Sequence, residues 1–140
     1  MEMDKIAAFI RRHHVMTLAT VSGDGRPWTA HVFYAWLPEQ GLFVFTTGAE
    51  TRHGAEMETA ANVAAGIALE TRTVGRLQGL QIEGTARRAE GAELAAARRA
   101  YLKRFPYAVA ADLHLWLLEP TRMKLTDNTL GFGKKLIWQK

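Results

Sequence analysis

The chain has 140 residues, of which 48% are hydrophobic and 23% are charged, values typical of one globular domain with a sizeable core. The absence of cysteine excludes disulfide bonds and cysteine-based zinc sites, and no apolar run reaches the roughly eighteen residues of a membrane helix, so we expect a cytoplasmic protein with no membrane partner. A formal charge of +4 indicates a mild attraction to anions without identifying them.

The first half of the chain predicts one helix followed by three strands and a second helix. Ile6, Phe9 and Ile10 fall on one face of the first predicted helix, and Asp4 is a suitable capping residue for it. Turn residues at 22–27 and 38–41 separate the strands. The predicted elements are a helix over 5–14, strands over 15–21, 28–37 and 42–47, and a helix over about 52–61.

The second half predicts more strands around one long helix. A strand of small and branched residues is followed by a longer one that bends near its glycines, and Pro106 ends the helix after it. The predicted elements are strands over 63–69 and 73–88, a helix over 91–105, and strands over 113–118 and 123–127, followed by the tail 128–140.

This order of elements predicts a mainly β protein with some helix. Six or seven strands with scattered helices favour an antiparallel sheet or a small barrel, because the strand–helix–strand alternation of parallel sheets is missing. Neither a linker nor an internal repeat is present, so residues 1–140 are expected to form a single domain.

The stretch FTTGAETRHGAE, residues 45–56, contains the most informative candidate site. If Thr51 caps a helix, then Arg52 and His53 occupy its first turn, where the helix dipole disfavours positive charge. A bound phosphate reverses the sign of that effect, because amides, guanidinium and imidazole then converge on one dianion. Thr46 and Thr47 are placed to bond hydroxyl groups of such a ligand. The alternative is that both basic side chains simply point into water.

Other sequence features favour structural explanations. The five histidines lack metal-binding spacing, so no metal site is expected, and the single serine, Ser22, lies in a turn without a hydrolase motif. Basic residues at 98, 99, 103 and 104 are interleaved with Tyr101 and Phe105. That pattern suits a solvated helix face better than a nucleic-acid site, and we expect no nucleic-acid partner.

The C-terminal tail combines glycines, Lys134, Lys135 and Trp138. A tail of this kind can close over a flat anionic ligand, with the lysines supplying charge and the tryptophan an aromatic wall. The alternative is a last strand packed on the core. The two interpretations are compatible with each other.

The segments TRHGAEM, LQGLQIEGTARR, YLKRFP and TDNTLGFGKKLIW resemble the UPF0306 branch of the pyridoxamine 5′-phosphate oxidase-like superfamily. The likeness covers nearly the whole chain. It implies a six- to seven-stranded antiparallel split β-barrel flanked by short helices. It also implies an FMN cofactor and a homodimer that holds the cofactor at its interface.

The resemblance assigns roles to particular residues. Thr51, Arg52 and His53 match a Ser-Arg-Lys triplet that grips the FMN phosphate in the superfamily, with histidine replacing lysine. Thr46 and Thr47 match strand-end residues near the flavin. Gln78 and Gln81 lie in a segment that often reaches a flavin across the dimer interface.

The sequence also departs from the true oxidases of the superfamily. Ala30 and Ala35 occupy positions where those enzymes carry an arginine and a lysine, and GFGKK replaces their C-terminal substrate motif. We therefore expect no pyridoxamine phosphate oxidase activity. His31 and Tyr34 are the only candidates for a general acid or base, and no pattern supports them.

Three hypotheses follow from the sequence. The first is a flavin-dependent oxidoreductase acting on a small molecule that the sequence does not identify. The second is a non-catalytic flavin or haem binder or sensor on the same barrel. The third, which we disfavour, is a nucleic-acid-binding domain that uses the basic helix.

Overall fold

Seven strands and three helices make up the computed structural model, which describes residues 2–140. Short 3₁₀ turns at Val74–Arg76, Pro106–Ala110 and Asn128–Leu130 connect some of them. The helices are α1 (Glu2–Arg12), α2 (Arg52–Thr59) and α3 (Gly91–Arg104). The strands are β1 (Val15–Val21), β2 (Pro27–Leu37), β3 (Leu42–Thr46), β4 (Asn62–Ala68), β5 (Gln78–Arg88), β6 (Leu115–Asp127) and β7 (Lys135–Gln139).

The strands form one antiparallel sheet in the order β3-β2-β1-β4-β5-β6-β7. The first half of β6 also pairs with β3, from Phe43 opposite Leu118 to Thr46 opposite Leu115. This pairing closes the first six strands into a barrel, and β7 adds to the free edge of the second half of β6. The predicted mainly β fold with an antiparallel barrel and short helices is therefore confirmed.

The barrel interior holds the main hydrophobic core. Alternate residues of each strand point inward, as Met16, Leu18 and Thr20 do on β1. Helix α1 packs against one end of this core through Ile6, Phe9 and Ile10, which are fully buried. The Tyr34 hydroxyl donates a hydrogen bond to the Ile10 carbonyl over 2.6 Å and so ties α1 to β2.

Helix α3 packs against the outside of one part of the barrel and leaves another part uncovered. Helix α3 covers the outward side chains of β2, β3 and β6, and a second core forms there around Ala35, Val44, Leu117 and Tyr101. Over the part of the chain that the structure describes, no helix covers the outer face of β1, β4 and β5. Small side chains predominate on that face, among them Ala19, Ala64, Gly66, Ala68 and Gly79.

Several predicted boundaries are wrong for local reasons. Helix α1 spans Glu2–Arg12, so Asp4 lies inside its first turn and is not at its N-cap position. The long strand begins at Gln78, because residues 74–76 form a 3₁₀ turn. The two strands predicted over 113–118 and 123–127 are one strand, β6.

Strand β6 stays continuous past Pro120 because its next residue, Thr121, is left out of the pairing and Gly84 of β5 leaves room opposite the proline. The register between β5 and β6 shifts at Glu83 and Gly84, and Gly84 then lies opposite Pro120. The strands are paired on both sides of this irregularity, so Pro120 does not end the strand. The tail after residue 134 forms β7, which confirms the packed-strand interpretation of the tail.

The close approach at Gly84 generates a stability prediction. An alanine Cβ there would lie 2.3 Å from the Glu119 carbonyl oxygen, and backbone on both sides must move to relieve that overlap. Gly84→Ala should lower the free energy of unfolding by about 2 kcal/mol or more. Urea unfolding followed by circular dichroism measures the change.

The matched control is Gly79→Ala on the same strand. A Cβ at Gly79 would meet its nearest neighbour, the Ile67 carbonyl oxygen, at an ordinary 3.9 Å. Its effect should stay within about 0.5 kcal/mol. Equal losses of stability in the two variants would show that the approach at Gly84 is not special.

Candidate functional site at the start of helix α2

The loop between β3 and α2 is fixed at its first residues by the chain that enters β6. The Thr47 amide donates to the His114 carbonyl over 3.1 Å. The Thr46 hydroxyl both accepts from the His114 amide, over 3.1 Å, and donates to the His114 carbonyl, over 3.2 Å. The end of β3 therefore has a defined position before the chain turns into α2.

Thr51 caps helix α2, as its sequence predicts. Its backbone is extended, and its hydroxyl accepts from the Gly54 amide over 3.0 Å and donates to the Gly48 carbonyl over 2.7 Å. A Cβ at Gly54 would lie 2.3 Å from the Gly48 carbonyl oxygen. Glycine at this position therefore allows the loop to pass directly over the first turn of α2.

Thr47, Thr51 and His53 meet at this point, and we call them the threonine–histidine cluster. The hydroxyl oxygens of Thr47 and Thr51 lie 3.2 Å apart, and the Thr47 hydroxyl is also hydrogen-bonded to Nε2 of His53. Burial lowers the pKa of His53 below its ordinary value, although Glu56 opposes the shift. His53 is therefore mainly neutral at neutral pH and contributes hydrogen bonds in place of a charge.

Arg52 neither points freely into water nor joins this cluster. Its Nε donates to Oε2 of Glu56, four residues later on α2, over 3.0 Å. Its guanidinium carbon lies 4.4 Å from the centre of the Trp28 ring, a stacking distance for a cation–π contact. The side chain remains 43% exposed, so part of the guanidinium is accessible to a ligand.

Glu56 is in turn held by β1. Its Oε1 accepts from the Thr20 hydroxyl over 2.7 Å, and both residues are buried. The Thr20 hydrogen bond, and then Arg52, lower the pKa of Glu56 below its ordinary value despite burial, so Glu56 is ionised at neutral pH. We call Thr20, Trp28 and Glu56 the Arg52 clamp.

None of these three clamp residues is among the site residues predicted from the sequence. Glu56 had a visible signal, because an acid four residues after a base is the usual helical ion-pair spacing. No local sequence pattern indicates Thr20 or Trp28, because the pairing of strands in the barrel brings them close to α2.

The remaining predicted site residues lie elsewhere, near β5 and β7. Gln78 donates to Asp127 over 3.0 Å and accepts from Arg12 over 3.2 Å. Gln81 is exposed on the outer face of β5. Lys134 and Lys135 are exposed around the start of β7, and Trp138 is half-buried against the main core.

Within residues 2–140 no hydrogen bond joins these five residues to the start of α2. The structure thus brings Thr47, Thr51 and His53 together and holds Thr46 beside Thr47 through its bonds to His114. Arg52 precedes His53 on α2, and the other five residues lie apart. Over the same residues it contains no group of three histidine or carboxylate side chains placed to hold a metal ion. None of its helices there is both long and apolar enough to cross a membrane.

Residues 3–127 match the family model described as pyridoxamine 5′-phosphate oxidase. The chain belongs to this family. A UPF0306 protein of Photorhabdus laumondii is 40% identical over 135 residues, which cover 96% of this chain and 94% of that protein. The chain therefore belongs to the UPF0306 branch as well.

Solved structures agree on the fold. A heme binding protein from Mycobacterium smegmatis superimposes with a TM-score of 0.79 at 28% identity, over 99% of this chain. The chain spans 56% of that longer protein. An FAD binding protein, also from Mycobacterium smegmatis, gives a TM-score of 0.69 at 14% identity, covering 96% of this chain and 95% of that one.

The lowered pKa of His53 generates a pH prediction. Unfolding returns the imidazole to its ordinary pKa of 6.5, so the unfolded chain binds more protons than the folded one as the pH falls through this value. The free energy of unfolding should therefore decrease from about pH 7 toward pH 5. His53→Gln should flatten this decrease in urea unfolding measured across that range.

His13 provides an independent comparison. Burial, followed by the nearby charge of Arg12, also lowers its pKa, and the charged groups that act on His13 are not those that act on His53. His13→Gln should remove a separate portion of the pH dependence. The effects of the two substitutions on the free energy of unfolding should be additive. A slope unchanged in His53→Gln would contradict the burial assigned to that imidazole.

Proposed function

We propose that this protein binds FMN, with the phosphate seated at the start of α2. The observation that carries the proposal is the threonine–histidine cluster, in which hydrogen bonds link Thr47 to Thr51 and to His53 beside the first turn of α2. The amides of Arg52 and His53, at the first two positions of α2, have no intrahelical acceptor and suit an anion, whereas the Gly54 amide is bonded to the Thr51 hydroxyl. Arg52 adds a charge-assisted donor from the same turn.

Membership of the pyridoxamine 5′-phosphate oxidase family supports this placement, since the matched region includes both β3 and α2. The residues present fit a phosphate monoester, because they combine neutral donors with one guanidinium. Thr46 and Thr47 are assigned to the ribityl chain or the ring edge. FMN, when bound, would supply the hydride chemistry.

A homodimer is part of the proposal. Gln78, Gln81, Lys134, Lys135 and Trp138 do not reach the start of α2 of their own chain, so they can serve the same ligand only from a second copy. The uncovered face of β1, β4 and β5 supports such a contact, because small side chains allow two sheets to approach closely. Sedimentation or gel filtration measures the assembly state.

We further propose that the bound flavin is used in an oxidoreductase of the cytoplasm whose small-molecule substrate differs from pyridoxamine phosphate. Ala35 is buried beneath α3 and has no access to a ligand. Ala30 provides no charge on β2. Reduction of bound FMN by a nicotinamide nucleotide would distinguish an enzyme from a flavin carrier.

The direct test is a visible spectrum of the purified protein with added FMN. We expect a shifted flavin spectrum and saturable binding. Arg52→Ala should weaken binding by about ten- to a hundredfold, because a charged donor to the phosphate is lost. The exposed Arg98→Ala on α3 removes the same charge at a distance and should leave the affinity within about twofold.

Unchanged FMN affinity in Arg52→Ala would overturn the role given to Arg52. Failure of the wild-type protein to bind FMN at all would overturn the proposal itself.

Haem binding is the second candidate function. It is favoured by the likeness to the mycobacterial heme binding protein, which covers almost all of this chain at 28% identity. Titration with haemin should then produce a Soret band that shifts when an axial histidine binds the iron. Saturation at one haem per chain with no FMN binding would select this alternative.

A further inference from the structure

Helix α2 and strand β2 contact the side chain of Arg52 directly, and strand β1 supports it through Glu56. Its Nε is bonded to Glu56 on α2, and its guanidinium lies against Trp28 on β2. The Thr20 hydroxyl of β1 holds the second oxygen of Glu56. A surface arginine with no role other than solubility would not need contacts of this number and kind.

We propose that Glu56 and Trp28 are positioning residues that orient the Arg52 guanidinium for phosphate before any ligand binds. This inference rests on the proposed function, since it concerns the same phosphate. A guanidinium carries five N–H donors in a fixed plane. Glu56 engages the Nε donor and Trp28 covers one face, so the edge formed by the two terminal nitrogens is left for the ligand.

The physical benefit is preorganisation. A free arginine side chain loses rotamer entropy when a ligand orders it, and that loss weakens binding. In this protein the clamp orders the side chain during folding. The phosphate then meets a guanidinium that is already in place.

Glu56 also has an opposing effect, which makes the proposal testable. It carries a negative charge close to a site for an anion, and Coulomb repulsion alone would weaken phosphate binding. If Glu56 acts only as a charge, its removal should tighten phosphate binding. If it positions Arg52, its removal should weaken phosphate binding although a negative charge has been lost.

The experiment compares FMN with riboflavin, which lacks the phosphate, on the purified full-length chain. The ratio of the two dissociation constants isolates the contribution of the phosphate. Glu56→Leu and Trp28→Leu should each lower the preference for FMN by up to about tenfold. Glu56→Gln should largely restore it, because its amide oxygen still accepts from Arg52 and its amide nitrogen can donate to Thr20.

Glu58→Leu is the matched control. Glu58 lies on the same helix, is partly exposed, and pairs with Arg88, away from Arg52. The substitution removes the same charge without touching the clamp. Its preference for FMN should be unchanged or slightly increased.

A second measurement needs no ligand. The Nε–H proton of Arg52, observed by ¹⁵N-resolved NMR, should be protected from exchange and shifted by the Trp28 ring current. Trp28→Leu should abolish the ring-current shift, and Glu56→Leu should abolish the protection. This measurement decides the orientation of Arg52 even where one variant folds poorly.

The outcomes separate the two proposals. A wild-type protein that binds FMN no better than riboflavin overturns the proposed phosphate site. A wild-type preference that Arg52→Ala removes, but that Glu56→Leu and Trp28→Leu both retain, overturns the positioning role alone. Tighter FMN binding in Glu56→Leu would show that Glu56 acts only through its charge.

Discussion

Closure of the barrel by β3 and β6 is the constraint on which the candidate site depends. Residues 43–46 pair with residues 115–118, and the bonds of Thr46 and Thr47 to His114 continue that pairing beyond the end of β3. These contacts join segments about seventy residues apart in sequence. Without them the start of the loop before α2 would not be held in one position. The distances among Thr47, Thr51 and His53 would then not be maintained.

The basic residues of α3 differ from one another in their roles. Arg104 donates hydrogen bonds to the carbonyls of Arg11 and His13 at the end of α1, and its guanidinium lies 5.2 Å from the centre of the Tyr34 ring. It therefore ties α1 and α3 to the barrel. The exposed side chains of Arg98, Arg99 and Lys103 fit the solvated helix face that the sequence favours. Because Arg104 is engaged with α1, three of the four basic residues that the sequence places on this helix remain available to a nucleic acid.

The sequence predicted most of the fold, because alternation and turn residues are local signals. The strand bounds of β1 and the Thr51 cap could be read from neighbouring residues. The continuity of β6 could not be predicted in this way. Pro120 is tolerated inside the strand because Gly84, which lies opposite it on β5, has no Cβ to obstruct it. For the same reason the sequence located Arg52 but not what holds it. Thr20 and Trp28 are brought to α2 by strand pairing, which no local pattern encodes.

The structure also changes the electrostatic meaning of the basic pair. The sequence suggests two uncompensated bases at a helix start, for which a phosphate would be the natural counter-ion. In the folded chain Glu56 already balances Arg52, and burial favours the neutral form of His53. Net positive charge is therefore not what would attract a phosphate here. Oriented donors would select it: the amides of Arg52 and His53 and one held guanidinium, beside a cluster of hydroxyls and a neutral imidazole. Such a site depends on geometry more than on long-range attraction, so its affinity should respond less to salt than that of a site built around a lysine.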